Sequence, residues 1–315
     1  MTGTDSFPLA GRRVMVAGHK GMAGAAIVRR LRREDCQILV ADREDLDMSR
    51  QVEVEEWLAA ARPDALFLAA AKVGGILANA TRPAEFLYDN LAIATNVIHS
   101  ACKTGVKKLL FLGSSCIYPR QAEQPMKEEA LLTGPLELTN DAYALAKIAG
   151  IKMCQAYRKQ YGCDFISAMP TNLYGPGDRY DLESGHVVAA LIMKIHAAKS
   201  SGAPAMTLWG TGTPLREFLY TEDLADALVF MMKHYSGESH LNVGSGREMT
   251  IRALADAIAN AAGWHGTFVY DGTMPDGMPR KLLDVSRLAA LGWTAQTRFE
   301  DGIKAAYDWY VENRA

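Results

Sequence analysis

The sequence predicts an α/β fold built on a doubly wound parallel sheet, with a second, smaller α/β part packed against it. In the first half of the 315 residues, short apolar runs of strand length alternate with longer amphipathic runs. This order is typical of βαβ units and of a parallel sheet buried on both faces. The first of these strands leads directly into a glycine-rich turn and a helix, and after about Tyr174 the pattern becomes less regular.

The elements of the first half follow from this alternation. Apolar runs predict strands at Arg13–Ala17, Gln37–Ala41, Ala65–Ala70, Lys108–Gly113 and Phe165–Pro170. Amphipathic runs between them predict helices at about Met22–Glu34, Gln51–Ala61, Pro83–Thr104 and Asp141–Tyr161. Ligands of such sheets bind at the carboxyl ends of the strands, so functional residues are expected there.

The second half is predicted to form the smaller part. Glycine, proline and charged residues become frequent from Gly175 to Gly185. Three helices and three short strands are then predicted, near Val187–Lys199, Thr221–Lys233 and Ile251–Ala262, and near Met206–Trp209, His240–Val243 and Thr267–Tyr270. We assign residues 11–174 to the large domain, with 217–240 packing back onto it, and residues 175–216 and 241–315 to a substrate-binding domain. A cleft between the two is the expected site.

Composition and charge argue against several classes of protein. Lysine plus arginine number 34 and aspartate plus glutamate 36, a formal net charge of −2, which gives no general affinity for nucleic acid or an anionic membrane. Five cysteines without a CxxC pair favour a reducing cytoplasm over a disulfide scaffold. The first ten residues show no apolar leader and are predicted to be a loose tail. The longest apolar stretch, Ala65–Ala80, is broken by Lys72 and two glycines and cannot span a bilayer.

The turn after the first strand carries Gly18, Gly21 and Gly24. Glycines at this spacing allow a tight turn, a close approach of the backbone to a pyrophosphate, and close helix–strand packing, while the helix N-terminus adds oriented N–H groups. At the first strand–helix junction of a βαβ chain, the triplet predicts dinucleotide binding and a sheet of the Rossmann type. A glycine turn without a ligand is the alternative.

Residues beyond the second strand bear on the choice of dinucleotide. Asp42 is the kind of residue that takes the ribose hydroxyls of NAD, whereas Arg43 and Lys20 suit the 2′-phosphate of NADP. With two cations near one acid, we expect NADP(H). In the alternative, Arg43 and Lys20 are solvated surface charges.

Tyr143 and Lys147 share one helix face because they are four residues apart. A phenol has a pKa near 10, and a fixed lysine cation beside it would favour the phenolate. Such a pair alone is more often a helix surface pair. Its significance comes from Ser114, which directly follows a buried strand and is followed in turn by Cys116. A cysteine at such a place is most often a small buried apolar residue.

The order of a glycine loop, a serine at a strand end and YxxxK resembles the extended short-chain dehydrogenase/reductase superfamily over nearly the whole chain. Within it, five runs are similar to the GDP-L-fucose synthase family of 3,5-epimerase/4-reductases: AAAKVGG (69–75), GSSCIYP (113–119), YALAKIAG (143–150), PTNLYGP (170–176) and PDGMPRKLLD (275–284). The resemblance implies two epimerisations beside the ketone of GDP-4-keto-6-deoxy-D-mannose. Hydride delivery from NADPH then gives GDP-L-fucose.

That chemistry implies roles for five residues. Reduction needs Ser114 to hold the carbonyl oxygen, Tyr143 to protonate it, and Lys147 to tune the tyrosine and grip the ribose. Epimerisation also needs a base, a stabilised enolate, and an acid on the opposite face. The family uses a cysteine and a histidine at the matched positions, so Cys116 is predicted to be the base and His186 the acid. An ordinary polar residue at a helix start is the alternative for His186.

The resemblance also implies binding residues. The predicted NADP(H) contacts are Gly18, His19, Lys20, Gly21, Met22, Gly24, Arg43, Ala70, Leu112, Gly113, Lys147, Pro170, Asn172, Leu173 and His186. A GDP-sugar diphosphate requires cations and a stacking surface, predicted at Lys194, Trp209, Arg216, Arg280 and Lys281. Lys194 stands where the family often has an arginine, and Arg280 and Lys281 could simply be solvated. The remaining histidines lack metal-ligand spacing, so no metal site is expected.

Two other functions stay open at this point. One is a different nucleotide-sugar epimerase, reductase or dehydratase, although a dehydratase would carry acidic residues where Ser115 and Cys116 stand. The other is a non-catalytic NADP-sensing protein, which would not need Tyr143 or Lys147. By analogy with relatives, the helices near 83–104 and 141–161 would form the four-helix bundle of a homodimer.

Overall fold

Alternating strands and helices form the first part of the chain. The computed structural model describes residues 7–181, 185–274 and 276–314, apart from the side chains of Ile76 and Leu77. In chain order its elements are β1 (Arg13–Ala17), α1 (Met22–Leu31), β2 (Gln37–Leu39), α2 (Gln51–Ala61), β3 (Ala65–Leu68), α3 (Ile76–Thr81), α4 (Pro83–Lys103), β4 (Lys108–Leu112), α5 (Asp141–Tyr161) and β5 (Asp164–Pro170).

The second part has shorter strands and more frequent connections. Its elements are β6 (Asn172–Tyr174), α6 (Val187–Ser200), β7 (Ala205–Trp209), β8 (Leu215–Tyr220), α7 (Thr221–His234), β9 (Leu241–Val243), β10 (Glu248–Thr250), α8 (Ile251–Ala262), β11 (Thr267–Asp271), β12 (Arg280–Lys281), α9 (Ser286–Ala290) and α10 (Phe299–Asn313).

The large sheet confirms the predicted α/β fold class. Six parallel strands lie in the order β2-β1-β3-β4-β5-β9. Apolar side chains from α1 and α7 cover one face, and those from α2, α4 and α5 cover the other. Because the strand order reverses between β1 and β3, the carboxyl ends of these strands border the crevice in which such sheets bind ligands.

The smaller part has a core and sheets of its own. Strands β10, β8 and β12 form one sheet, in which β6 also pairs with β8, and β7 pairs with β11. Side chains from α6, α8 and α10 make the third apolar core. The strand β9 lies in the large sheet, although the predicted domain limits placed residues from 241 onward in the smaller part. Leu288 and Trp293 likewise pack into the core beside α1 and α7.

The amino-terminal residues differ from the prediction of a loose tail where the structure describes them. Leu9 is buried in the first core. The backbone N–H of Phe7 donates to the carbonyl oxygen of Lys233 at 2.8 Å, and the Arg12 guanidinium lies 4.0 Å from the Phe7 ring centroid. Residues 1–6 of that prediction lie outside the described residues. No helix within the described ranges combines the length and the apolar composition needed to cross a bilayer.

Candidate active site

The glycine turn between β1 and α1 is built by close backbone approach. Gly18 has a φ of +87°, and a Cβ there would stand 2.7 Å from both the backbone N and Cα of Ala70. A Cβ on Gly24 would stand 2.0 Å from the carbonyl oxygen of Gly18. Neither position tolerates a side chain, and the predicted cofactor residues Gly21 and Met22 lie between them. The first-turn N–H groups of α1 therefore stand over a bare backbone surface that suits a pyrophosphate.

A group of charges lies beside this turn. The Lys20 ammonium is 2.7 Å from Asp42 Oδ1, and His19 Nε2 is 3.2 Å from the same oxygen. The hydrogen bond between Lys20 and Asp42 raises the pKa of the lysine and lowers the pKa of the aspartate. We expected Lys20 to serve as a second cation for a 2′-phosphate, whereas the structure pairs it with the acid. That pairing offsets the charge of Asp42, which would repel a phosphate, and Arg43 stands exposed next to it.

Ser114 and Cys116 lie on a single 3-10 turn directly after β4. The Ser114 hydroxyl accepts the backbone N–H of Cys116 at 3.5 Å and caps this turn, Ser115–Ile117. Cys116 is 8% exposed. The turn places the hydroxyl and the thiol at the carboxyl end of a central strand, as the sequence predicted.

Tyr143 and Lys147 on α5 lie against this turn. The buried Lys147 ammonium donates to the carbonyl oxygen of Leu112 at 2.8 Å and lies 5.6 Å from the centroid of the Tyr143 ring. Burial lowers the pKa of Lys147 to about 8. Burial raises the pKa of Tyr143, a negative charge on Cys116 raises it further, and the hydrogen bond to Ser114 lowers it. Ser114, Cys116, Tyr143 and Lys147 thus form one cluster.

A second lysine reaches the same cluster from the far end of the chain. Burial raises the pKa of the Cys116 thiol, and the charge of Lys281 is the largest influence that lowers it, ahead of Ser114 and Lys147. Burial in turn lowers the pKa of Lys281, while a negative Cys116 raises it. Two ammonium groups, Lys281 and Lys147, thus act on the thiol and favour its thiolate form, but burial outweighs them and the pKa of Cys116 stays above its ordinary value.

Strand pairing explains how Lys281 arrives there. In the parallel ladder of β12 and β8, Lys281 pairs with Arg216 and Arg280 pairs with Leu215. Arg216 is mostly buried, and burial lowers its pKa while Asp276 opposes this effect. Adjacent strand residues point to opposite faces, so Arg280 points away from this face and its guanidinium donates to Glu248 at 2.7 Å. The two cations that we predicted together are therefore separated.

Trp209 at the end of β7 and Lys194 on α6 lie against each other. The Lys194 ammonium lies 5.3 Å from the centroid of the Trp209 ring. The tryptophan is 67% exposed, which leaves a flat face open to solvent. This pair suits a nucleotide base beside a charged group.

His186 directly precedes α6. Its Nδ1 is 3.3 Å from Oδ1 of Asp178. This hydrogen bond raises the pKa of His186, whereas burial lowers it. Ser184, two residues before this histidine, lies outside the described residues, as does Pro275 of the run 275–284.

The remaining predicted cofactor residues lie at the strand ends around the turn. Leu112 ends β4 and Gly113 follows it, Pro170 ends β5, and Asn172 and Leu173 lie in β6. The Asn172 amide donates to the carbonyl oxygen of Glu217 at 2.8 Å. Their roles as cofactor contacts stay predictions.

The match to a protein family covers most of the chain. Residues 14–244 match the NAD-dependent epimerase/dehydratase family. The chain belongs to this family. Its glycine turn, Ser114 and the Tyr143–Lys147 pair all fall inside the matched region, whereas Lys281 does not.

Similar proteins of this family extend over almost the full length. The chain is 58% identical over 309 residues to a GDP-L-fucose synthase of Sinorhizobium fredii, covering 98% of each protein. It is 48% identical to a GDP-L-fucose synthase of Escherichia coli, covering 96% of this chain and 98% of that one. A solved GDP-L-fucose synthetase of Naegleria fowleri bound to NADP is 29% identical, with a TM-score of 0.90 over 98% of this chain and 97% of that one.

Two acids of this epimerase/dehydratase chain were missed by the sequence reasoning. The buried Glu217 carboxylate accepts the backbone N–H groups of Leu283 at 3.0 Å and Gly246 at 2.7 Å, and so ties the segment after β12 to β8. Asp178 contacts His186, as described above. Glu217 directly follows Arg216, and from the sequence alone an acid next to a cation cannot be told from an exposed surface pair. Asp178 stands in a loop among other charges, and the sequence gives no signal for it.

Proposed function

We propose that the chain is a bifunctional 3,5-epimerase and 4-reductase that converts GDP-4-keto-6-deoxy-D-mannose to GDP-L-fucose with NADPH. Relatives of that name are 48–58% identical over nearly its full length. The observation that carries the proposal is the buried Cys116 thiol, on which the charges of Lys147 and Lys281 both act, on the same turn as Ser114 and near Tyr143. A ketoreductase needs the serine, tyrosine and lysine alone; the thiol adds the base that epimerisation requires.

The cofactor is NADP(H), which supplies the hydride for the ketone carbon when it is bound. The turn fits a dinucleotide, because Cβ atoms at Gly18 and Gly24 would fill the surface that a pyrophosphate approaches. Exposed Arg43 suits the 2′-phosphate. The pairing of Asp42 with Lys20 and His19 removes the acid that would prefer ribose hydroxyls.

Epimerisation uses the thiol and the histidine. The Cys116 thiolate removes the proton from the carbon beside the ketone, and the electron pair moves into an enolate. Ser114 and Tyr143 donate hydrogen bonds to the enolate oxygen. His186 returns a proton to the opposite face of that carbon, which inverts it. Proton exchange with solvent then restores the Cys116 thiolate and the His186 imidazolium, and the same sequence serves the second flanking carbon.

Reduction uses the other half of the cluster. Ser114 donates to the ketone oxygen, which makes the carbon more electrophilic. As the carbon accepts the hydride, the Tyr143 phenol transfers its proton to that oxygen, so no free alkoxide forms. The Lys147 ammonium stabilises the phenolate that remains.

The GDP moiety is held in the smaller part. Arg216 on β8 carries a partly buried guanidinium next to Lys281 in the β8–β12 ladder, suited to bidentate contact with a phosphate. Trp209 offers a face for the guanine base, and Lys194 beside it adds charge. Arg280 is paired with Glu248 and makes a weaker candidate.

A reducing cytoplasm is the proposed compartment, because the five cysteines are free thiols.

A homodimer through α4 and α5 is also proposed. It is supported by the packing of these helices against each other and by exposed apolar side chains on them: Tyr88, Leu145 and Tyr161 are 69%, 47% and 59% exposed. Exposed apolar side chains of this size on two adjacent helices are consistent with an interface.

The function is tested with the purified chain, NADPH and GDP-4-keto-6-deoxy-D-mannose. NADPH oxidation should accompany formation of GDP-L-fucose, identified by NMR of the sugar. NADPH oxidation with unchanged configuration at both flanking carbons would make the chain a simple 4-reductase. Absence of both reactions would refute the proposal.

Tyr143→Phe separates the two half-reactions. Loss of the phenolic proton should abolish reduction, while deuterium from the solvent still enters the carbons beside the ketone, because Cys116 and Ser114 remain. Mass spectrometry of the recovered sugar measures this exchange. Full reduction by the variant would contradict the role of Tyr143.

A further inference from the structure

Asp178 supports His186 from a separate loop. His186 Nδ1 lies 3.3 Å from Oδ1 of Asp178, and the Asp178 side chain is 3% exposed against 42% for the histidine. The same Oδ1 accepts the backbone N–H of Arg179 at 2.7 Å, which fixes the carboxylate in the loop. The histidine ring is thus held at one nitrogen, while its other side reaches solvent.

The position of His186 makes such support necessary. His186 is the N-cap of α6, and its side chain makes no hydrogen bond to the helix. The first-turn N–H groups of a helix carry partial positive charge, which disfavours a cation placed there. Unsupported, an imidazole at this end would stay neutral and have no second proton to give.

The surrounding charges show what offsets that effect. Two charged groups act on the pKa of His186: Asp178, which raises it, and Arg179, which lowers it to a smaller extent. In the part of the chain that the structure describes, Oδ2 of Asp178 is buried without a hydrogen-bond partner. A buried carboxylate with so few donors is costly unless a cation stands beside it, and an imidazolium is such a cation.

We propose that Asp178 is the residue that positions His186 to protonate the sugar carbon during epimerisation. Its carboxylate accepts the Nδ1–H, fixes the plane of the ring, and leaves Nε2–H free for the substrate. Asp178 itself touches no reacting atom, so it is a positioning residue. The inference rests on the proposed function, since it concerns the second proton transfer of that reaction.

Asp178→Asn tests it with little change of shape. The asparagine carbonyl still accepts the Arg179 N–H and the Nδ1–H, so only the charge is lost. The alkaline limb of the pH profile for epimerisation should move to lower pH. At pH values above the limbs of both wild type and variant, each pH unit of this shift lowers the variant's rate about tenfold. Reduction of a pre-epimerised keto-sugar, and its KM, should stay unchanged. Asp308→Asn, which removes an equal charge from an exposed pair on α10, should leave the profile in place.

A double-mutant cycle separates positioning from a structural role. If Asp178 acts through His186, then Asp178→Asn should cause no further loss in a His186→Asn background. Additive losses, or an unshifted limb in Asp178→Asn, would overturn the inference. If Asp178→Asn folds poorly, Asp178→Glu keeps the charge and should retain the wild-type limb; a displaced limb there would equally overturn it. Wild-type enzyme that fails to invert the sugar refutes the proposed function instead.

Discussion

Replacing Gly18 by alanine tests whether the close backbone approach at the glycine turn builds the cofactor site. The chain offers a matched control in Gly105. The two glycines have almost the same φ, +87° and +80°. A Cβ at Gly105 meets nothing within 4 Å, whereas at Gly18 it stands 2.7 Å from the backbone of Ala70.

The difference between the two variants isolates the contact. An L-residue in the left-handed region costs about 1–2 kcal/mol, and both variants bear that cost. Overpacking against a backbone that must shift adds about 1–3 kcal/mol at Gly18 alone. We therefore expect Gly18→Ala to lose about 2–5 kcal/mol of unfolding free energy by these two terms, and Gly105→Ala about 1–2 kcal/mol.

Cofactor binding should separate the two more sharply. The shift at Gly18 moves Ala70 or the glycine turn, both next to the predicted pyrophosphate, and each tenfold loss of affinity corresponds to about 1.4 kcal/mol. We expect NADPH to bind Gly18→Ala at least about tenfold more weakly and Gly105→Ala as tightly as wild type. Fluorescence titration measures both constants, and thermal unfolding measures stability. Equal NADPH affinity in the two variants would refute the reasoning.

Three further outcomes are expected. Cys116→Ser should slow epimerisation by about 10²–10⁴-fold, yet reduce a pre-epimerised keto-sugar far better; equal loss in both assays would contradict its role as base. Arg43→Ala should weaken NADPH by about tenfold and NADH hardly at all in binding titrations; if wild-type enzyme already uses NADH as efficiently as NADPH, the cation argument is wrong. Because burial lowers the pKa of Lys147 to about 8, its charge is present below that pH and lost as the pH rises through it. The kcat/KM for reduction should therefore decline above pH 8, and a profile flat to pH 10 would contradict this assignment.

Regular elements with long patterns were predicted well. The helices α2, α5 and α8 begin and end at the predicted residues. Strand β8 was missed because Arg216 and Glu217 interrupt its apolar run. The strands β10 and β12 are three and two residues long, and their only reason to be strands is pairing with β8. Patterns within the sequence cannot show such pairing.

The candidate site likewise combines pairs of residues that are close in sequence with contacts that depend on how distant strands pair. Ser114 with Cys116 and Tyr143 with Lys147 are local pairs, and spacing alone placed each on one turn or face. The approach of Lys281 to Cys116 depends on the register of β12 against β8. Whether a charged residue faces a ligand or an acid depends likewise on partners distant in sequence, as the pairing of Arg280 with Glu248 illustrates.

The electrostatic link between Cys116 and Tyr143 has a consequence for the order of events. A negative charge on the thiol raises the pKa of the phenol. In the proposed mechanism, a Cys116 thiolate ready to take a proton from the sugar would therefore keep the proton of Tyr143 in place. Protonation of the cysteine would remove that effect, and the phenol would then give up its proton more readily. The base proposed for epimerisation would thus hold back the acid proposed for reduction, which favours inversion of the sugar before its reduction.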